Sequence, residues 1–303
     1  MKRIIIILIA LMILTSGCKF TDIREKVPGI GKTPSGKSDF IGGNEGITPE
    51  IMTPIEDGKV YSTQPFQIAV KVTNEGESQS DGSVCISGLN PKYFSGMANC
   101  ECDSFSLEGK RRIEDEQLEG EEEILTFEGG EVMSGDLKNF AVSATTRYDY
   151  KTYGILQTCI KKEAYSKEGC QITPTKNIVK SASSGPVTIS KVTQEIIPSD
   201  SETVTLILSI DIKNAAKGDV FDLEDNKEEC KASQEGTQPS INVRLINAPG
   251  RGICDPVKLR DGEATARCMV DSVEASDESY ESEITVELEY AYEIIDSNRF
   301  EVV

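Results

Sequence analysis

The chain has 303 residues, with 51 acidic against 32 basic, a formal net charge of −19 and no histidine. Such a charge repels anions and gives no counterion release, so a nucleic-acid partner is not expected. Without histidine there is no Ser-His-Asp or Cys-His nucleophile pair and no His-Glu-x-x-His zinc helix.

Lys2 and Arg3 precede an unbroken apolar run from Ile4 to Leu14, and the small residues Thr15, Ser16 and Gly17 follow. A basic start, a short apolar run and small residues are the layout of an export signal, here residues 1–17. A helix over the run rises only about 17 Å, against a hydrocarbon core of ~30 Å, so a permanent span is disfavoured. The stretch "L-T-S-G-C" resembles a prokaryotic lipoprotein signal, with Leu14 one place further from the cysteine than is usual. The resemblance implies cleavage before Cys18 and a lipid on that residue. It thus implies export and anchoring in the membrane through the N-terminal lipid, at the outer face of the cytoplasmic membrane or in the cell envelope. Two readings compete: an ordinary signal peptide with a cysteine near the mature start, and an uncleaved anchor. Residues 18–39, from the lipidated Cys18 onward, are rich in Gly, Pro, Ser and charge and show no apolar period, as a flexible linker does.

Beyond the linker the period is two. In "PFQIAVKVTNEG", Phe66, Ile68, Val70 and Val72 alternate with Gln67, Ala69, Lys71 and Thr73. "VTLILSIDIKNAAKG" alternates in the same way through Val204, Leu206, Leu208, Ile210 and Ile212. Both strands run into an asparagine, Asn74 or Asn214, and then a glycine, which suits a turn. Phe140, Val142, Ala144, Tyr148 and Tyr150 share one face of a second strand. Ile284, Val286, Leu288, Tyr290, Tyr292 and Ile294 share one face of another. These landmarks recur at a spacing of about 140 positions, which either marks an internal duplication or reflects the common grammar of all-β domains. Residues 109–124 have helix-forming composition but a thin apolar stripe, and read as a solvated acidic loop. The predicted fold is all-β: two immunoglobulin-like antiparallel β-sandwich domains after the signal peptide and linker. The first spans 40–172, a polar Pro/Ser/Gly linker spans 173–186, and the second spans 187–303.

Nine cysteines are present. Beyond Cys18 they are Cys85, Cys100, Cys102, Cys159, Cys170, Cys230, Cys254 and Cys268, an even set that in an exported chain reads as disulfides. Zinc is the competing reading, but Cys100-x-Cys102 lacks the usual knuckle spacing. Cys159 and Cys170 flank a polar loop and are expected to staple a hairpin. Cys254 and Cys268 are expected to face each other across the Asp261-Gly262 turn. Cys85 closes on Cys100 or Cys102. Five cysteines in the first body and three in the second then require either one bridge between bodies or one free thiol in each.

No Gly-x-Ser-x-Gly elbow and no phosphate-binding loop is present. No catalytic residue and no cofactor is expected. Asp219, Asp222, Glu224 and Asp225 form a weak calcium candidate, against solvated surface charge. Tyr148, Tyr150, Tyr290 and Tyr292 read as core residues with hydroxyls at the rim, against a sugar-stacking platform. The acidic connection 103–136 is the best candidate recognition surface.

"DFIGGNEGITPEIMTPIEDGKVYSTQPFQIAVKVTNEG", "ISGLNPKYFSG…CEC" and "PVTISKVTQEIIP" resemble exported archaeal surface proteins with tandem immunoglobulin-like domains. That resemblance implies a structural, adhesive or protein-binding role among envelope or surface proteins, and it supplies no site residue. The alternatives are an exported ligand- or calcium-binding accessory module of an envelope complex, and a carboxylate-based hydrolase.

Overall fold

The computed structural model describes residues 40–303 except 53–57, 63, 96–99, 114–115, 134–136, 222, 224–226 and 228–238. The signal, Cys18 and the linker 18–39 lie outside the described residues. In chain order the first half holds β1 (Ile47–Met52), β2 (Lys59–Val60), β3 (Phe66–Asn74), β4 (Ser80–Ser87), β5 (Phe94–Ser95), β6 (Cys100–Leu107), β7 (Arg111–Ile113), β8 (Glu116–Leu118), β9 (Glu122–Val132) and β10 (Asn139–Ile160). The second holds β11 (Val179–Ala182), β12 (Val187–Pro198), β13 (Thr203–Asn214), β14 (Asp219–Phe221), β15 (Ser240–Ile246), β16 (Arg251–Cys254), β17 (Val257–Lys258), β18 (Glu263–Glu274) and β19 (Tyr280–Val302). The fold is all-β, and no α-helix occurs among the described residues.

Alternation decides which faces pack. Phe66, Ile68, Val70 and Val72 of β3 point inward, and so do Val204, Leu206, Leu208, Ile210 and Ile212 of β13. Each such side chain contributes about 1.5–3 kcal/mol on full burial. Two outer sheets result, with strand orders β1-β3-β9-β5 and β12-β13-β18-β16. Their inner faces share one core with a nine-stranded sheet ordered β17-β15-β19-β10-β4-β6, to which β11, β14 and β2 attach. The layers are sandwich-like, and every strand pair is antiparallel except β2 with β19.

The two sequence halves are joined through β10 and β19. These strands pair without a register shift from Asn139↔Glu301 to Ile160↔Tyr280. The start of β10 pairs with β4 and its later part with β11, while β19 takes β15, β14 and β2 along its other edge. The described residues therefore belong to one compact unit. Part of the expected linker 173–186 is strand: β11 lies on β10, pairing Gly154 with Ala182. Residues 109–124 also depart from the sequence expectation of a loop, because β7 and β8 pair as a short exposed hairpin.

The spacing of about 140 positions seen in the sequence is carried by matching hydrogen bonds. The Asn74 side-chain amide donates to Ser78 O at 2.8 Å, and Asn214 donates to Gly218 O at 2.7 Å. Glu75 N donates to Gly46 O, and Ala215 N to Pro186 O, both at 2.8 Å. Asn74 N donates to Glu121 O at 2.9 Å, and Asn214 N to Gly262 O at 2.8 Å. The antiparallel register places Tyr148 opposite Tyr292, Asp149 opposite Ala291 and Tyr150 opposite Tyr290. An approximate two-fold axis thus passes between Asp149 and Ala291 and exchanges the two Tyr-x-Tyr pairs.

Three bridges are described: Cys85–Cys102, Cys159–Cys170 and Cys254–Cys268. Cys254 faces Cys268 directly across β16 and β18, and the intervening turn carries Asp261 and Gly262, both at positive φ. Cys102 rather than Cys100 is the partner of Cys85, because Cys85 and Cys102 are opposite one another on β4 and β6 while Cys100 stands opposite Ser87. Cys100 is itself disulfide-bonded, and its sulfur lies 3.9 Å from that of Cys102. Cys230 lies outside the described residues.

Candidate functional site

The four tyrosines are at the centre of the molecule. Each is almost wholly buried, and their rings touch around the two-fold axis, with Tyr148–Tyr292 centroids 5.8 Å apart and Tyr150–Tyr290 6.1 Å apart. They are core residues, as alternation requires, but their hydroxyls end inside the protein rather than at a rim. Tyr148 Oη accepts from Ile47 N at 3.3 Å, and its counterpart Tyr290 Oη accepts from Val187 N at 3.2 Å. Tyr150 Oη accepts from Ser78 N at 3.3 Å and donates to Ser184 O at 3.2 Å. Tyr292 Oη donates to Asn214 Oδ1 at 2.8 Å and accepts from Gly218 N. Each phenol thus satisfies a backbone donor at the entry or exit of an outer strand, where no ladder partner exists. Burial holds the phenols of Tyr148, Tyr150 and Tyr290 above their ordinary range and pushes Tyr292 up to about 12.

Beside this cluster opens a cavity of about 530 Å³. One wall is the entry to β1, Ile47 to Pro49, and the other is Ile294 to Asp296 of β19, with Tyr148, Tyr292 and Pro186 between them. Lys217, Asn44 and Asp296 bring polar groups to it. Asn44 Nδ2 donates to Ala215 O at 3.0 Å, and Asp296 Oδ2 accepts from Ile51 N at 2.9 Å. The wall is close-packed: a Cβ at Gly46 would lie 2.8 Å from both Tyr148 Oη and Pro186 Cδ. This cavity was not anticipated from the sequence.

Above the axis, on the other face of the central sheet, charges pair with one another. Arg147 Nε meets Glu293 Oε2 at 2.6 Å and its guanidinium lies 4.4 Å from the centroid of the Phe221 ring. Glu287 is buried and bonded to Arg244 Nε at 2.8 Å, with Lys151 at 3.8 Å. Lys227 pairs with Asp149, and Ser83 Oγ donates to Lys227 O at 2.6 Å. Lys227, after β14, therefore lies against β10 and β4 of the first half.

The other sequence candidates fall elsewhere. Asp219 is exposed on β14, opposite Glu293, while Asp222, Glu224 and Asp225 lie outside the described residues. The acidic connection 103–136 is not one loop: it contains the end of β6, the β7–β8 hairpin and β9. Lys110 beside it pairs with Glu75 and Glu119, and the Glu75 carboxylate holds the Lys110 ammonium above its ordinary range. The sulfurs of Cys85, Cys100 and Cys102 lie within 4.8 Å of one another, a spacing that would suit a metal. Their engagement in disulfides removes the thiolates a metal needs.

Compared with known proteins, the chain matches no family model and no curated sequence.

Proposed function

We propose that the chain is exported, carries a lipid on Cys18, and presents a rigid β-body for structural, adhesive or protein-binding contacts at the cell surface, without chemistry of its own. The observation that carries this reading is the set of three disulfides, each pinning strands or a strand-flanking loop, which agrees with an oxidising, extracellular environment. The layout of residues 1–18 supports the anchor, and the cavity beside β19 supports a binding role. The acidic surface keeps such a body soluble and repels acidic neighbours. Intact-mass spectrometry of membrane-extracted protein tests the anchor. The expected species begins at Cys18 with a lipid adduct, and Cys18→Ser moves the protein to the soluble fraction. An unmodified Cys18 together with free thiols at Cys159, Cys170, Cys254 and Cys268 in the native host would overturn the reading.

A further inference from the structure

The two halves differ most at one sheet edge. In the second half, β11 and its flanks close the gap between the central strand β10 and the outer strand β12. Ser183 N donates to Tyr153 O at 2.8 Å and Gln157 N to Ile178 O at 2.9 Å. Ile178 N in turn donates to Val192 O of β12 at 3.0 Å. The two-fold axis carries Tyr153 onto Ile295 and Gln157 onto Arg299, and carries Ala182 and Ser183 onto Gly42 and Gly43. In the first half those glycines are committed elsewhere. The Glu77 carboxylate takes Ile41 N at 2.8 Å, Gly42 N at 2.9 Å and Ser184 N at 2.7 Å, and the Phe40 ring stacks on Tyr153.

Among the described residues, the matching edge of β19 is open at Ile295 and Ser297. Among the described residues, no strand pairs with its outer edge between the partners of β14, which end at Glu293, and those of β2, which begin at Glu301. Strand parity tells which groups face outward. Val303 N donates to Val60 O, and Val303 O accepts from Ser62 N, so odd residues face the outer edge at this end. The register with β10 is unbroken, so Ile295 and Ser297 present their N–H and C=O groups the same way. Arg299 closes the open stretch: its N–H is taken by the Asn298 side chain at 2.8 Å, and a Cβ at buried Gly58 would lie 3.5 Å from its carbonyl oxygen. The cavity of about 530 Å³ lies directly beside this edge, between β1 and β19, where β11 has its counterpart in the other half.

We propose that the edge of β19 at Ile295–Ser297 is a strand-addition site for an extended peptide of a partner protein, antiparallel to β19, with an apolar side chain entering the cavity and basic residues flanking it. The claim deepens the binding role proposed above and rests on it. Three observations choose this occupant. The chain itself fills the equivalent edge with an extended segment. The apolar part of the cavity lining is Ile47, Pro49, Tyr148, Pro186, Tyr292 and Ile294, which suits an apolar side chain, while Asn44, Glu45, Lys217 and Asp296 supply its polar part. The net charge of −19 favours a cationic peptide over an acidic one. Main-chain hydrogen bonds supply the affinity in such an arrangement, and the cavity supplies the selectivity.

The test uses the full, disulfide-bonded protein and a synthetic peptide of residues 176–183, Lys-Asn-Ile-Val-Lys-Ser-Ala-Ser, the chain's own occupant of the equivalent edge. Amide hydrogen exchange is followed with and without millimolar peptide. The expected result is about tenfold slower exchange at Ile295 and Ser297 and no change along the edge strand β6. A peptide with proline in place of its first serine loses the effect, because that residue shares the parity of Ser183, whose N–H donates to Tyr153 O, and proline removes a ladder donor. Thr48→Trp, an exposed position lining the cavity, also abolishes protection while leaving the circular dichroism unchanged. No slowing at saturating peptide, or equal slowing at β6, overturns the site. Protection that rises with protein concentration in the absence of peptide also overturns it, since the edge would then be an interface between copies. None of these readouts depends on the lipid, so loss of the anchor and loss of the edge site are separate results.

Discussion

Replacing Tyr290 with phenylalanine isolates the hydroxyl that the fold relies on most. The ring stays, so packing against Tyr150 and Tyr292 is kept. Tyr290 is fully buried, and its Oη bonds Thr152 Oγ1 at 2.8 Å and accepts from Val187 N at 3.2 Å. Val187 N is the first donor of β12 and sits against the core, so deleting the hydroxyl leaves it buried without an acceptor. An unsatisfied buried polar group costs about 1–3 kcal/mol, and the Thr152 hydroxyl loses its partner as well, so the expected loss is about 2–4 kcal/mol. The counterpart Tyr148 accepts one longer bond, from Ile47 N at 3.3 Å, so Tyr148→Phe is expected to cost about 1–2 kcal/mol. Urea unfolding of the disulfide-intact protein, followed by circular dichroism, measures both at unchanged m-value. Equal losses for the two variants, or a loss below ~0.5 kcal/mol for Tyr290→Phe, would refute the argument that these phenols replace missing ladder partners.

The same burial predicts alkaline instability. Raised phenol pKa values mean that above pH ~10 the unfolded chain releases protons the folded chain keeps, so stability is full below that pH. It then falls with rising pH by up to ~1.4 kcal/mol per unit for each tyrosine, until Tyr292 ionises at about 12 and the others higher still. Tyrosinate absorbance from the four core phenols should rise cooperatively with the loss of structure; ionisation of Tyr148, Tyr150, Tyr290 and Tyr292 near pH 10 with the fold intact would contradict this. Glu77→Gln removes a carboxylate that holds three backbone donors, and is expected to cost about 1–3 kcal/mol and to speed amide exchange at Ile41 and Gly42. Replacing Cys254 and Cys268 together by serine opens a bridge with a sequence separation of 14 and should lower stability by about 3 kcal/mol in thermal melts.

Period-two alternation exposed the fold class at once, because half-buried strands such as β3 and β13 must alternate. It also placed the tyrosines on their inward faces. Two features escaped it. Ser181 and Ala182 sit in a stretch whose composition reads as linker, yet they pair with β10, because strand propensity is overridden when a neighbouring edge offers a ladder. The cavity also gave no signal, since it is made by an absence: Ile41 and Gly42 donate to Glu77 instead of pairing along β19. No local pattern records where a segment goes when two edges compete for it. The Cys85–Cys102 pair was left open between two partners for a related reason. Two positions of strand register separate the two choices, so Cys100 and Cys102 share a face and alternation alone does not fix which one stands opposite.

The open edge is on a strand that is hard to deform, and this bears on its use. β19 is held along its inner edge by β10 through the whole ladder, and two of the core tyrosines project from it. A peptide added at Ile295–Ser297 therefore meets donors and acceptors already set in an extended geometry, and the ordering cost falls on the peptide alone. The equivalent edge of β10 is just as rigid but is occupied, because the chain between the halves is tethered next to it and pairs as an intramolecular strand. The near-symmetry of the two halves thus yields one satisfied edge and one receptive edge.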